Sequence, residues 1–215
     1  MLRLLFKKAS IPLFFGGYLM SKYLIQKQNY KIARSYQCHY DIRIDNDKDI
    51  EHVKLDMNHI QKVDNLHISV RDNILTKEHF LELFSILSQS NQKRVHLDLT
   101  NTDIDEEKIE ALSNCLKNWN LNHLQLHVNR IKFTDEQFQK LLNTLENMTS
   151  LHSLYLEMED VNLGVPKRKM IEKTLDHMKH LKNVYINLRN NEISQEDARS
   201  IRKMLDRFDM SDLFF

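Results

Sequence analysis

From residue 66 onward the chain repeats one pattern. A short run of alternating apolar and polar residues is followed by a polar turn, then by a stretch whose apolar residues recur every three or four positions. The alternating runs are Leu66-His-Ile68-Ser-Val70, Leu97-Asp-Leu99, Leu124-Gln-Leu126-His-Val128, Leu154-Tyr-Leu156-Glu-Met158 and Val184-Tyr-Ile186-Asn-Leu188. A period of two sends alternate side chains to opposite faces, so each run predicts a strand with one buried face. Their first apolar positions are 31, 27, 30 and 30 residues apart, the mark of an internal repeat.

The longer stretches predict helices. Their apolar stripes are Phe80, Leu83, Phe84 and Leu87; Ile109, Leu112 and Leu116; Phe138, Leu141, Leu142 and Leu145; Met170, Ile171, Leu175 and Met178; and Ala198, Ile201, Met204, Leu205 and Phe208. Thr76, Thr134 and Ser194 each precede acidic residues where a helix should start, so their hydroxyls suit the exposed N–H groups of a first turn. Pro166 suits the beginning of the fourth helix. Residues 40–57 hold two further alternating runs, Tyr40-Asp-Ile42-Arg-Ile44 and Val53-Lys-Leu55-Asp-Met57. They lie too close together to enclose a helix and read as a cap over the exposed end of the first repeat.

The start of the chain is a different material. Residues 9–25 are mainly apolar and interrupted by Lys22 alone; these 17 residues, at about 1.5 Å each, reach the short end of a membrane span. A cleavable presequence, a secretory signal and a retained anchor are all readings of such a segment. The run is more continuously apolar than a presequence and shows no A-x-A-like cleavage site, so the expectation is an anchor centred on Ile11, Leu13, Phe14, Phe15, Gly16, Gly17, Tyr18 and Leu19. The adjacent glycines would let another helix approach closely. The chain then divides into an anchor over 1–30, a juxtamembrane segment and cap over 31–62, and a repeat domain over 63–215.

Charge sharpens this division. Seven of the 31 basic residues fall in residues 1–40 and no acid does, leaving 24 bases against all 30 acids in 41–215, a net of −6. A mildly acidic body argues against nucleic acid, whose phosphates need a basic face. With three glycines in 215 residues, phosphate-binding glycine loops and nucleophile elbows have no residues to be built from. Two cysteines make neither a disulfide framework nor a four-cysteine zinc site.

The repeat resembles a leucine-rich repeat of the longer, ribonuclease-inhibitor-like kind, with one strand and one full helix per unit. The L-x-L-x-x-N element is complete at Leu124, Leu126 and Asn129, while Arg71, Thr102, Glu159 and Arg189 stand at the asparagine position elsewhere. The resemblance spans about residues 63–210 and implies an α/β solenoid of about five units, with a parallel sheet lining its concave side. In size, fold and anchor the chain is similar to the small mitochondrial repeat proteins, coupling factor B of the ATP synthase among them. That likeness implies a single-pass protein of the mitochondrial inner membrane, a non-catalytic accessory or assembly subunit of a respiratory or ATP synthase complex. Its partners would be other subunits and the lipid bilayer. A soluble or reticulum-anchored adaptor is the alternative, for which Asn147-Met148-Thr149 is a formal glycosylation acceptor.

If the L-x-L leucines point inward, the residues between them cover the concave face. The expected partner surface is His67, Asp98, Gln125, His127, Tyr155 and Tyr185, with Ser69, His96, Thr100, His123, Glu157 and Asn187 beside them. His96, Asp98, His123 and His127 share strand parity and would permit a zinc site, although polar residues are also the ordinary cover of a solvated strand face. His177-Met-Lys-His180 lacks the glutamate of a zinc hydrolase helix, and Cys115 reads as a core residue. Asp105-Glu106-Glu107 reads as a helix start. No catalytic residue, metal or cofactor is therefore expected.

Overall fold

Each of the five alternating runs from residue 66 onward falls on a five-residue strand, and each periodic stretch is the helix that follows it. The structure is a computed structural model that describes residues 32–35 and 39–215, so the expected anchor at 11–19 and Cys38 lie outside the described residues. In chain order the elements are β1 (Ile32–Ser35), β2 (His39–Arg43), α1 (Asp49–Ile60), β3 (Asn65–Ser69), α2 (Lys77–Leu87), β4 (Arg94–Asp98) and α3 (Glu106–Asn118). They continue as β5 (His123–His127), α4 (Asp135–Glu146), β6 (Ser153–Glu157), α5 (Val165–His177), β7 (Asn183–Asn187), α6 (Gln195–Leu205) and β8 (Met210–Phe214). One sheet of eight strands runs in sequence order; β2 to β8 are parallel and β1 joins β2 antiparallel. The helices lie on one face of the sheet, and the core fills the layer between. Among the described residues no helix is long and apolar enough to cross a membrane.

Two expectations change. Val53-Lys-Leu55-Asp-Met57 is the middle of helix α1, not a second capping strand. Ile50, Val53 and Ile60 are buried on one side of it while Leu55 is 78% exposed, so the three-to-four spacing overrides the apparent alternation. Strand β2 and helix α1 are thus a full first unit, giving six strand–helix units where about five are expected. The outer cover on β2 is β1. The second change is the register of β4, where Val95 pairs with Leu66 and Leu124, so that the run begins two residues before Leu97. Thr100 accordingly lies beyond the strand, 8% exposed, and does not belong to the concave face.

The inward residues are almost wholly sequestered: Leu66, Ile68, Leu97, Leu124, Leu126 and Leu154 are at most 1% exposed. Against them pack Phe80, Phe84, Ile109, Leu112 and Phe138 from the helices, with Cys115 among them. The predicted caps form as expected. Thr76, Thr134 and Ser194 accept from the N–H groups of His79, Gln137 and Asp197, and Thr134 with Gln137 closes a reciprocal capping box. Asp105 caps α3, with Glu106 and Glu107 in its first turn.

In the five units from β3 onward the turn after the strand passes through a left-handed residue at the same place, Asp72, Asn101, Arg130, Asp160 and Asn190, with φ between 54° and 59°; Asn73 and Asn162 add a second one in two of these turns. Asn and Asp tolerate this conformation better than most residues, which is how a chain with three glycines makes five equivalent turns. Backbone N–H groups of those residues extend the sheet's ladder: Asp72 donates to Thr100 O (3.0 Å), Asn101 to Asn129 O (2.8 Å), Arg130 to Glu159 O (2.8 Å) and Asp160 to Arg189 O (3.2 Å). Buried side chains bind one unit to the next. Trp119 Nε1 donates to Leu87 O (3.0 Å), Lys167 Nζ to Phe133 O (2.7 Å), and the Arg168 guanidinium to Glu192 O (3.0 Å) while facing Asp197 at 2.9 Å.

At the far end β8 adds to β7 and brings Leu213 and Phe208 over the last unit, so the apolar carboxyl end caps the core as the solenoid requires. In urea unfolding, Leu126→Ala should cost about 2–5 kcal/mol because it empties a closed core site. Arg130→Gly should instead gain about 0.5–1 kcal/mol by relieving the left-handed turn. Equal losses from Leu126→Ala and the concave-face change Gln125→Ala would contradict the strand facing.

Candidate functional site

Because β2 to β8 are in register, the residues between the buried positions line up in rows across the concave face. The middle row is Asp41, His67, His96, Gln125, Tyr155, Tyr185 and Asp212. A second row, nearer the strand ends, runs Ser69, Asp98, His127, Glu157, Asn187 and Phe214. The six expected face residues, His67, Asp98, Gln125, His127, Tyr155 and Tyr185, all lie in these rows and are half-buried, each flanked by neighbours on the adjoining strands.

Parallel strands lie about 4.8 Å apart, close to the separation at which planar rings stack. The face exploits that coincidence twice. At its amino-terminal half His67 and His96 stack with centroids 4.2 Å apart, and His96 meets the tilted ring of His127 at 4.5 Å. At its carboxyl-terminal half Tyr155 stacks on Tyr185 at 5.2 Å, and Tyr185 meets Phe214 at 5.0 Å.

The histidine half is a network of paired charges. His39 Nε2 and His67 Nδ1 both donate to Asp41 Oδ1, at 2.9 and 3.0 Å. Burial opposes ionisation of Asp41, but the two imidazoles outweigh it and hold the carboxyl well below the usual carboxylate range. Arg71 faces Asp98 at 3.4 Å, and Gln125 Nε2 donates to His127 Nε2 at 2.8 Å. His96 stands in the middle. Its Nε2 is buried without a hydrogen-bond partner, and burial, followed by the neighbouring His67 and His127, lowers its pKa to about 3.

The four residues considered for zinc do not converge. His96, Asp98 and His127 are close, but His123 sits at the opposite end of β5, its ring 5.4 Å from Tyr155. Among the described residues no group of three or more His, Cys, Asp or Glu is arranged to hold a metal ion. The thiol of Cys115 is buried among Ile109, Leu112 and Leu116, and burial pushes its pKa up. His177 and His180 leave α5 in different surroundings, His177 Nδ1 facing Glu146 Oε1 at 2.9 Å. Three features escaped the sequence reading: the bridging role of Asp41, the extension of the tyrosine row by Phe214, and the guanidinium of Arg189 over the Phe214 ring at 5.1 Å. Each depends on treating Tyr40-Asp-Ile42 and Ser211-Asp-Leu213 as strands of the same sheet.

No family model matches the sequence, and the comparison with curated proteins gives no match. Among solved structures, the chain is similar to the tropomodulin C-terminal domain of Caenorhabditis elegans, with a TM-score of 0.56 and 18% identity over 74% of this chain and 92% of that one. The fold is of leucine-rich-repeat type. At that identity the likeness concerns the fold alone, and it agrees with the parallel sheet of strand–helix units described above.

The histidines make stability depend on pH. An unfolded His96 takes up its proton near the ordinary value of 6.5, whereas the folded one waits until about 3, so stability falls as pH drops through 6.5 toward 3. Burial lowers His123, His127 and His180 as well, with the same sign. His39, raised by its hydrogen bond to Asp41, acts oppositely: its contribution is present below 6.5 and lost as pH rises through its folded value. The three buried-face imidazoles outnumber it. Urea midpoints should therefore be lower at pH 5 than at pH 7, and His96→Phe should flatten that difference. An identical drop in the variant would contradict the assignment to His96.

Proposed function

We propose that this chain is a non-catalytic docking protein that binds a protein partner on the concave sheet face. In its fullest form the reading is an accessory or assembly subunit of a mitochondrial inner-membrane respiratory or ATP synthase complex, held to the bilayer through residues 1–30. The observation that carries the docking reading is the pair of ring rows on one rigid sheet. Tyrosine, histidine, asparagine and glutamine on a fixed backbone supply large contact area and hydrogen bonds at small cost in side-chain freedom. Solenoid sheets are suited to this use because a partner can span several units at once.

The membrane and mitochondrial part rests on sequence: an apolar stretch flanked by basic residues, with no acid in the first 40 positions. Lys22 within that stretch needs a polar neighbour or an interface, and Gly16-Gly17 offers a close helix–helix contact. The alternative is a soluble or reticulum-anchored adaptor that binds a partner on the same face; its anchored form draws on Asn147, which is exposed where α4 ends.

Carbonate extraction of isolated mitochondria and native electrophoresis of the endogenous protein test the reading together. The protein should stay with the membrane pellet and migrate within a large complex. Tyr155→Ala with Tyr185→Ala, and separately Gly16→Leu with Gly17→Leu, should each reduce incorporation while leaving the urea midpoint of the folded body nearly unchanged. A protein released by carbonate that migrates alone would overturn the membrane-subunit reading.

A further inference from the structure

We propose that the carboxyl-terminal half of the concave face, around Tyr155, Tyr185 and Phe214, docks a basic, extended segment of the partner protein, seating an arginine or lysine side chain between Glu157 and Asp212. The inference rests on the docking reading above and adds the chemistry of what is docked.

The argument begins with charge. Strands β5 to β8 carry two acids, Glu157 and Asp212, and no lysine or arginine. In the amino-terminal half every acid of the face is compensated: Asp41 by His39 and His67, and Asp98 by Arg71. In the carboxyl-terminal half, among the described residues, neither Glu157 nor Asp212 is paired with a lysine or arginine; Glu157 has only His127 at 3.8 Å and an amide hydrogen bond from Asn129. The uncompensated negative charge of the face is therefore concentrated beside the tyrosines.

Geometry places those two acids around one ring. Asp212 stands directly across from Tyr185 on β8, and Glu157 lies one row up on β6, across from Asn187. Burial raises the Tyr185 phenol, and after it the carboxylate of Glu157 does so; Arg189 opposes them and Asp212 adds to the rise, so the acids beside the ring outweigh its one cationic neighbour. Electron-rich ring surface beside carboxylates favours a cation, because the quadrupole and the charges pull in the same direction.

The molecule already shows this preference in its own side chains. Arg189, from the turn after β7, holds its guanidinium over the Phe214 ring. One end of the aromatic row is thus occupied by an internal cation, while among the described residues no lysine or arginine lies over Tyr155 or Tyr185 next to it. An anionic partner, whether nucleic acid or an acidic lipid surface, would meet two carboxylates that no lysine or arginine of the described residues pairs, and be repelled. A basic protein segment meets complementary charge and a row of rings spaced at strand intervals.

The full-length chain can be titrated by fluorescence anisotropy with two labelled peptides, one alternating arginine and serine, the other alternating glutamate and serine. The arginine peptide should bind at least about tenfold tighter, and Glu157→Gln with Asp212→Asn should weaken it by about five- to tenfold. Glu136→Gln with Glu172→Gln, on the helices, removes the same charge elsewhere and should leave the affinity unchanged. Equal affinity for both peptides, or equal weakening by the two double variants, overturns the inference. If Tyr185→Ala loses the native complex while Glu157→Gln with Asp212→Asn keeps the complex and its peptide affinity, the basic segment is wrong and docking stands. If none of these changes affects the complex, the docking reading fails with it.

Discussion

The constraint on which the rest depends is the unbroken hydrogen-bond ladder from β2 to β8 that continues into the turns beyond the strands. Asp72, Asn101, Arg130 and Asp160 each donate to the carbonyl of the next unit, so strand and turn repeat together. From β3 onward that ladder is kept in step by a left-handed residue at one place in every unit, and the chain supplies it five times without glycine. A residue inserted between strand and turn would break the ladder and flip the following side chains to the wrong face. Because register is held, the leucines stay inward and the concave rows stay aligned.

Alignment then creates chemistry that no single unit contains. Rings placed one per strand come to rest at stacking distance, giving the His67–His96–His127 group and the Tyr155–Tyr185–Phe214 row. The two halves differ in how their charges are met. Asp41 is paired with His39 and His67 and Asp98 with Arg71, and burial between imidazoles keeps His96 unprotonated, while Glu157 and Asp212 have no lysine or arginine partner among the described residues. The first half has its carboxylates paired within the fold and responds to pH, and the second is the half that we propose for recognition.

Much of the fold was legible because strand and helix periods differ so plainly. The runs at Leu124, Leu154 and Val184 showed both the facing of the strands and the face residues Gln125, Tyr155 and Tyr185, since a period of two assigns every side chain once one leucine is placed inward. Elsewhere local pattern misled. Val53-Lys-Leu55-Asp-Met57 alternates in sequence, yet Ile50, Val53 and Ile60 supply the helical stripe that tertiary packing selects. Leu97-Asp-Leu99 alternates as well as Val95-His-Leu97 does, and only pairing with β3 and β5 decides the register. The left-handed turns were hidden for a related reason: Arg130 carries none of the usual signal and adopts the conformation because its neighbours on the ladder do. The paired state of Asp41 was beyond reach, since His39, Asp41 and His67 come together only once β2 is recognised as a strand of the sheet.

The central claim, that the concave sheet is the recognition surface, is tested most directly by placing a photo-crosslinking residue at Gln125, Tyr155 or Asn183 on the sheet and at Asn143 or Lys173 on the helices, in the full-length protein within intact membranes. The account predicts covalent adducts to a partner subunit from the three sheet positions and none from the two helix positions. Adducts confined to the helix positions would contradict it.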